Sequence, residues 1–308
     1  MHVLRLKNPV GKKGRALTIG NFDGVHLGHQ AMLRRLVTVA DERNLISTVI
    51  IFEPHPAEFF SPLDAPTRLY GCREKVMSFF DAGIEQVVVL PFNKKYSLML
   101  AEDFVNDVLV STLSVKWLLI GDDFRFGFRR NGDYDTLLKK SLECEFGLEA
   151  TQSVTVKGAR VSSTAVRDAL ASGDLKSAEQ MMGKRYNVSG RVVRGDQIGR
   201  TLGYPTANIH FGRSSFPLSG VFTAYIAGPE FNQRPALLSV GKRPTVTKSG
   251  HVCIEVYLID YSGDLYGQRL YVEVVSKLRD QERFDNTDML IEAMKGDERQ
   301  ARQFFNIK

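Results

Sequence analysis

Ala16-Leu17-Thr18-Ile19-Gly20-Asn21-Phe22-Asp23-Gly24-Val25-His26-Leu27-Gly28-His29 decides the fold of the N-terminal half. Ala16 to Gly20 reads as a short buried strand, and Met32, Leu33, Leu36, Val37 and Ala40 recur at helical spacing, which predicts a helix over His29 to Glu42. The segment between them is therefore a strand-to-helix loop. A helix start offers unpaired N–H groups and a positive dipole end, where phosphate is held most easily. His26 and His29 stand three apart and project from one face of the first turn. Gly24 and Gly28 remove side chains that would keep an anion off the backbone. A plain turn with two exposed histidines and a histidine metal pair are the alternatives. The pair lacks a nearby cysteine or carboxylate other than Asp23. Phosphate contact ranks above both, because two of the six histidines sit beside glycines where open α/β sheets bind ligands.

Outward from this loop, strand and helix alternate to about Thr155. The strands expected are Ala16–Gly20, Ile46–Phe52, Gln86–Leu90, Lys116–Ile120 and Leu148–Val154. The helices expected are His29–Glu42, Arg73–Ala82, Ala101–Thr112 and Tyr134–Glu145. Near-continuous apolar strands in such a βαβα order imply a Rossmann-like α/β domain, a parallel sheet with helices on both faces. Ligands then gather at the strand C-termini, where Asn21–His29, Glu53–Pro56 and Asp122–Asp133 fall. Thr164–Ala171 and Leu175–Met182 are helical, and Gly183 ends that part. From Lys184 the pattern changes to Tyr186–Val193, Gly220–Ala227, Ala236–Val240, Val252–Asp260 and Gln268–Leu278, short strands without intervening helices. That pattern predicts a small antiparallel β-barrel domain, closed by a C-terminal helix over Thr287–Phe305. The expected domains are residues 1–183 and 184–308.

The 308 residues suffice for two such cores. With 43% hydrophobic and 25% charged residues the composition is that of a soluble globular protein, and no apolar run approaches the roughly 20 residues of a membrane span. The expectation is a cytoplasmic protein with no membrane partner. Cys72, Cys144 and Cys253 are too few and too far apart for a disulfide framework or zinc pattern. The net charge of +6 lies almost wholly after Gly183. It suits a polyphosphate substrate, and without a basic run interleaved with aromatics it gives no case for nucleic acid. Oligomeric state is not legible.

Four further segments and one strand carboxylate carry chemistry. Arg160-Val161-Ser162-Ser163-Thr164-Ala165-Val166-Arg167 places two arginines around a helix start. Ser163 and Thr164 suit capping as well as phosphate, but the arginine forks favour phosphate. Phe52-Glu53-Pro54-His55-Pro56 and Asp122-Asp123-Phe124-Arg125-Phe126-Gly127 each follow a strand. The first reads equally as a proline-stiffened turn, and the acids of the second, Asp122 and Asp123, either stay solvated or touch a ribose, a base or Mg²⁺. Gly199-Arg200-Thr201-Leu202-Gly203-Tyr204-Pro205-Thr206-Ala207-Asn208 is a loop running into a strand. Backbone N–H groups beside Gly199 and Gly203 can meet phosphates, and Thr206 and Asn208 offer neutral oxygens to Mg²⁺. Glu255 alternates with Ile254 and Val256 in a strand, so it is either solvated or a general base; its spacing does not select it over Glu273.

His26-Leu27-Gly28-His29 resembles the H-x-G-H signature of nucleotidylyltransferases, and Arg160 to Arg167 resembles their I-S-S-T-x-I-R motif. The segments Phe-x-Pro-His-Pro and Gly-x-x-Phe-x-Phe-Gly, the latter covering Gly121 to Gly127, are similar to the bacterial flavin-adenylating family, many of whose members carry Asn where this chain has Asp123. Gly-Arg-x-x-Gly followed by Pro205-Thr206-Ala207-Asn208 is similar to riboflavin kinases. So are Arg243-Pro244-Thr245, Glu255 in its strand and Asp264-Leu265-Tyr266-Gly267. Together the chain resembles the bacterial bifunctional riboflavin kinase/FAD synthetases. The resemblance implies phosphorylation of riboflavin by ATP to FMN and ADP, then adenylylation of FMN to FAD with release of pyrophosphate. It implies Mg²⁺ held with ATP by Thr206 and Asn208, Glu255 as the base toward the riboflavin hydroxyl, and His26, His29 and Arg167 as the adenylyl-transfer residues. Gly20, Asn21, Phe22, Asp23, Gly24, Gly28, Asp123, Arg160, Ser163 and Thr164 then line the first ATP site. Gly199, Arg200, Gly203, Pro205, Thr206 and Asn208 line the second.

Overall fold

The computed structural model describes residues 1–4, 11, 13–195, 199, 202–212, 215–242 and 252–308. The chain divides into two compact units, Met1–Pro66 with Cys72–Ser162, and Thr67–Gly71 with Ser163–Lys308.

In the first unit six strands form a wholly parallel sheet: β1 (His2–Leu4), β2 (Arg15–Ile19), β3 (Ile46–Glu53), β4 (Gln86–Pro91), β5 (Val115–Gly121) and β6 (Gly147–Thr151), in the order β1-β4-β3-β2-β5-β6. Every residue of β2 is buried. Leu17 and Ile19 join Ile50, Val88, Leu118 and Phe104 in one core layer. On the alternate positions, Thr18 donates its hydroxyl to Met32 of the Leu27–Glu42 helix at 3.1 Å. Chain order reverses at β2, with β3 on one side and β5 on the other. The loop after β2 therefore occupies the topological switch point, the crevice where α/β sheets take ligands. At the opposite end Arg15 is 2% exposed and satisfied by Gln86 Oε1 at 2.8 Å and the Leu113 carbonyl at 2.9 Å.

Several elements depart from expectation. Ala101–Asp103 starts as an α-helix, but Phe104–Thr112 winds with the wider i→i+5 pattern. Ser111 and Thr112 donate their hydroxyls to the carbonyls five residues earlier, at 2.7 and 2.6 Å, which supports the wide turns. The strand expected to Val154 ends at Thr151, and the chain turns through Lys157 and Gly158, both at positive φ, as the hairpin β7 (Thr155–Val156) and β8 (Ala159–Arg160). Pro56–Phe60 is a short helix capped by His55 rather than a simple turn.

In the second unit the helices Ser163–Ser172 and Leu175–Met182 accompany a closed antiparallel barrel. Its strands are β9 (Asn187–Val193), β10 (Ala207–His210), β11 (Gly220–Gly228), β12 (Phe231–Lys242), β13 (Val252–Leu258) and β14 (Arg269–Arg279), ordered β10-β13-β12-β11-β14-β9 with β9 returning to β10. Alternating Ile254, Val256 and Leu258 point into the core. The Thr287–Phe305 helix, capped by Asn286, is fastened by a bidentate Arg279–Asp297 pair, both contacts 2.8 Å.

Candidate active sites

The loop after β2 is wound tightly by Phe22 (φ 48°), Gly24 (φ 80°) and Val25 (φ 42°). Left-handed backbone at two non-glycine positions persists only where packing over-determines it. Here the Phe22 side chain, 2% exposed, lies 5.0 Å from the His29 ring and 5.4 Å from Phe79. His26 occupies the helix N-cap, and its Nδ1 accepts the His29 N–H at 3.4 Å. The two imidazoles stack, with centroids 3.7 Å apart and planes 16° apart. Gly28 eases this stack, since a Cβ there would stand 3.2 Å from His26 Cε1, a tight contact. Asp23 and His26 are buried, and Gly20 N–H extends the sheet to the Ile50 carbonyl.

His29 Nδ1 is buried without a hydrogen-bond partner. Burial, with the neighbouring His26 and Lys75 charges adding to it, holds its pKa well below the usual 6.5. The ring is accordingly neutral at physiological pH. Lys75, unforeseen in the sequence, is 2% exposed and donates to the Asn21 carbonyl at 3.2 Å. A signal was present: Lys75 shares a helix face with Phe79, where a core residue was due.

At the end of β5, Asp123 meets Arg160 Nη2 at 3.0 Å, while Asp122 lies 3.6 Å from the same nitrogen and accepts from Ser153 Oγ at 3.2 Å. Arg160 is thus already engaged by carboxylates. Phe59 and Phe60 stand exposed beside Phe92, whereas Phe126 belongs to the core against Phe104 and Phe124. Ser163 and Thr164 open the Ser163–Ser172 helix of the second unit, and Arg167 Nε donates to the Thr67 carbonyl at 2.7 Å.

The second candidate site is built on the loop before β10 and on β13. Tyr204 N–H returns to the Gly199 carbonyl at 2.7 Å, and a Cβ on Gly199 would stand 2.4 Å from the Tyr204 carbonyl oxygen. Only glycine permits that closure. Gly203 takes φ 84°, and Pro205 is exposed. Arg200 and Thr201 lie outside the described residues, as do Arg243, Pro244 and Thr245. Tyr204 is buried against Tyr257 at 5.2 Å, and its hydroxyl is pushed up to about 12 by burial and then by Glu298. The loop leads into β10, where Thr206 and Asn208 are half-buried. In the ladder Asn208 is paired with Glu255 of β13, and Glu255 with Ser239 of β12. The Cys253 thiol donates toward Asn208 Oδ1 at 3.5 Å and Glu255 Oε1 at 3.7 Å. Glu273, the competing carboxylate, is instead ion-paired with Arg185 at 3.0 Å. Among the described residues, no three His, Cys, Asp or Glu side chains converge on a metal position.

Each half matches a known family. Residues 9–165 match FAD synthetase and residues 182–305 match riboflavin kinase. The bifunctional riboflavin kinase/FMN adenylyltransferase of Escherichia coli (strain K12) is 42% identical over 296 residues, covering 96% of this chain and 94% of that protein. Its counterpart in Haemophilus influenzae is 42% identical over 297 residues, covering 96% and 95%. Among solved structures, a Streptococcus pneumoniae protein described as a macrolide-efflux protein superposes with a TM-score of 0.80 at 26% identity, covering 97% of this chain and 98% of that one.

Proposed function

The chain belongs to the bifunctional riboflavin kinase/FMN adenylyltransferase family, and from that premise we propose how its residues divide the work. The two domains account for FMN and FAD synthesis, from riboflavin and ATP. We assign residues 1–183 to adenylyl transfer and 184–308 to the kinase. The observation that carries the assignment is the placing of a histidine-capped helix start in one compact unit and the Asn208–Glu255 ladder pair in the other.

In the kinase, Glu255 takes the proton from the riboflavin hydroxyl as the γ-phosphoryl group of ATP is transferred, leaving ADP. Its partner among the described residues is the weak Cys253 donor, so the carboxylate keeps acceptor capacity for that proton. Asn208 lies across the ladder from Glu255, and Thr206 precedes Asn208 by two residues; their neutral oxygens are hard donors that would suit Mg²⁺ once ATP oxygens and water complete the shell. The ion would neutralise β- and γ-phosphate charge. Gly199, Gly203 and Pro205 shape the phosphate loop, to which the resemblance also assigns Arg200.

In adenylyl transfer the FMN phosphate attacks the α-phosphorus of ATP, and pyrophosphate leaves. The nucleophile is already an anion, so the demand is electrostatic. His26, His29 and the N–H groups after Gly24 face the triphosphate; the resemblance also assigns phosphate contacts to Arg160, Ser163, Thr164 and Arg167. We infer that this work is done in the cytoplasm, a reading supported by the demand of both reactions for ATP and by the lack, among the described residues, of a helix long and apolar enough to cross a membrane.

Labelled ATP tests the division. Glu255→Gln should stop γ-label entering FMN while α-label still enters FAD from supplied FMN. Undiminished γ-transfer would remove Glu255 from the reaction.

A further inference from the structure

Lys75 sits on the Cys72–Asp81 helix, one turn before Phe79, and both side chains are fully buried. Lysine is almost never found so deeply placed unless its charge is engaged. Two side chains of this helix grip one loop turn. Phe79 meets the Phe22 ring edge-on at 5.4 Å, and the Lys75 ammonium donates to the Asn21 carbonyl immediately before Phe22. Phe22 in turn carries the left-handed backbone and lies against His29.

We propose that Lys75 is a positioning residue for adenylyl transfer: it fixes the Gly20–His29 loop through the Asn21 carbonyl and sets a positive charge beside His29. The inference deepens the assignment above and rests on His29 acting at that site. The charged groups facing His29 are His26, from its own turn, and Lys75, from the neighbouring helix; both oppose its protonation, after burial itself. Removing the lysine charge therefore makes His29 easier to protonate. A residue that only filled space would have no such effect.

Lys75→Met keeps the length and apolar stem of the side chain and removes its charge. With saturating FMN, the KM for ATP in FAD synthesis should rise at least about tenfold. The inflection of its kcat/KM profile that follows His29 should move to higher pH, because that profile reports protonation of the free enzyme. Phosphorylation of riboflavin by the same preparation should be unchanged. Lys75→Arg retains a cation and should keep that inflection near its wild-type position, so a displaced inflection in Lys75→Arg decides the matter even where Lys75→Met fails to fold. An unmoved inflection in Lys75→Met, or a displaced one in Lys75→Arg, overturns the proposal. If His29→Ala has no effect on FAD synthesis, the underlying assignment fails instead. If His29→Ala is impaired and Lys75→Met is not, only the role of Lys75 falls.

Discussion

His26 and His29 stack ring on ring at 3.7 Å, an arrangement two imidazolium cations would oppose. The pair is stable because at least one ring stays neutral, and the depressed pKa of His29 identifies which. A histidine whose folded pKa lies below its unfolded value contributes stability that is complete above about pH 6.5. That stability declines as pH falls further, because the unfolded chain then binds the extra proton. His29→Gln should therefore flatten the dependence of Tm on pH below 6.5, measured by thermal unfolding. A dependence as steep as that of the parent chain would contradict the assignment.

Binding should couple to the same proton. A triphosphate beside His29 favours the imidazolium form, so ATP binding to the first unit should take up protons at slightly acid pH. Calorimetry in buffers of differing ionisation enthalpy measures this directly. Uptake absent in His29→Gln is expected; equal uptake in both proteins would place the proton elsewhere.

Arg160 is held by exposed carboxylates, at 3.0 Å from Asp123 and 3.6 Å from Asp122. Such a pair contributes at most about 1 kcal/mol to stability. With Arg160 assigned to the nucleotide as proposed, the pair competes with phosphate for the guanidinium. Asp123→Asn should lower the KM for ATP in FAD synthesis by several-fold while shifting urea unfolding by less than about 1 kcal/mol. A raised KM would show instead that the Asp123 charge assists binding.

Gly199 has no room for a side chain, with the Tyr204 carbonyl where Cβ would be. Gly199→Ala should open that turn, displace Thr206 and reduce riboflavin phosphorylation at least about tenfold, one factor of ten being about 1.4 kcal/mol. FAD synthesis from supplied FMN should persist, as product chromatography would show.

Much of this was legible from residues alone. The alternation of apolar strands with amphipathic helices announced the parallel sheet, and the H-x-G-H loop lies at the C-terminal end of β2, beside the reversal in strand order. The change of rhythm after Gly183 announced the barrel, and the Thr287–Phe305 helix has the limits its pattern predicts. What escaped depends on tertiary contact. Three-residue β1 is too short for periodicity to register, and the wide turns of Phe104–Thr112 depend on hydroxyl back-bonding that a face pattern does not encode. Glu255 and Glu273 are equivalent in their strands. Only partners separate them: Arg185 for Glu273, Asn208 and Cys253 around Glu255. Lys75 was hidden because a charged residue reads as a solvated one until burial is seen. The role of Gly28 emerged only with the imidazole it accommodates.

The central claim is that two chemically distinct sites share one chain, one acting at the α-phosphorus of ATP and the other at its γ-phosphoryl group. The most direct measurement is chromatography of flavin products from purified His29→Ala and Glu255→Ala proteins given ATP and Mg²⁺, with riboflavin or FMN as substrate. The account predicts that His29→Ala still converts riboflavin to FMN but accumulates it without FAD, and that Glu255→Ala makes FAD from FMN but no FMN from riboflavin. Parallel loss of both products in either variant would contradict it.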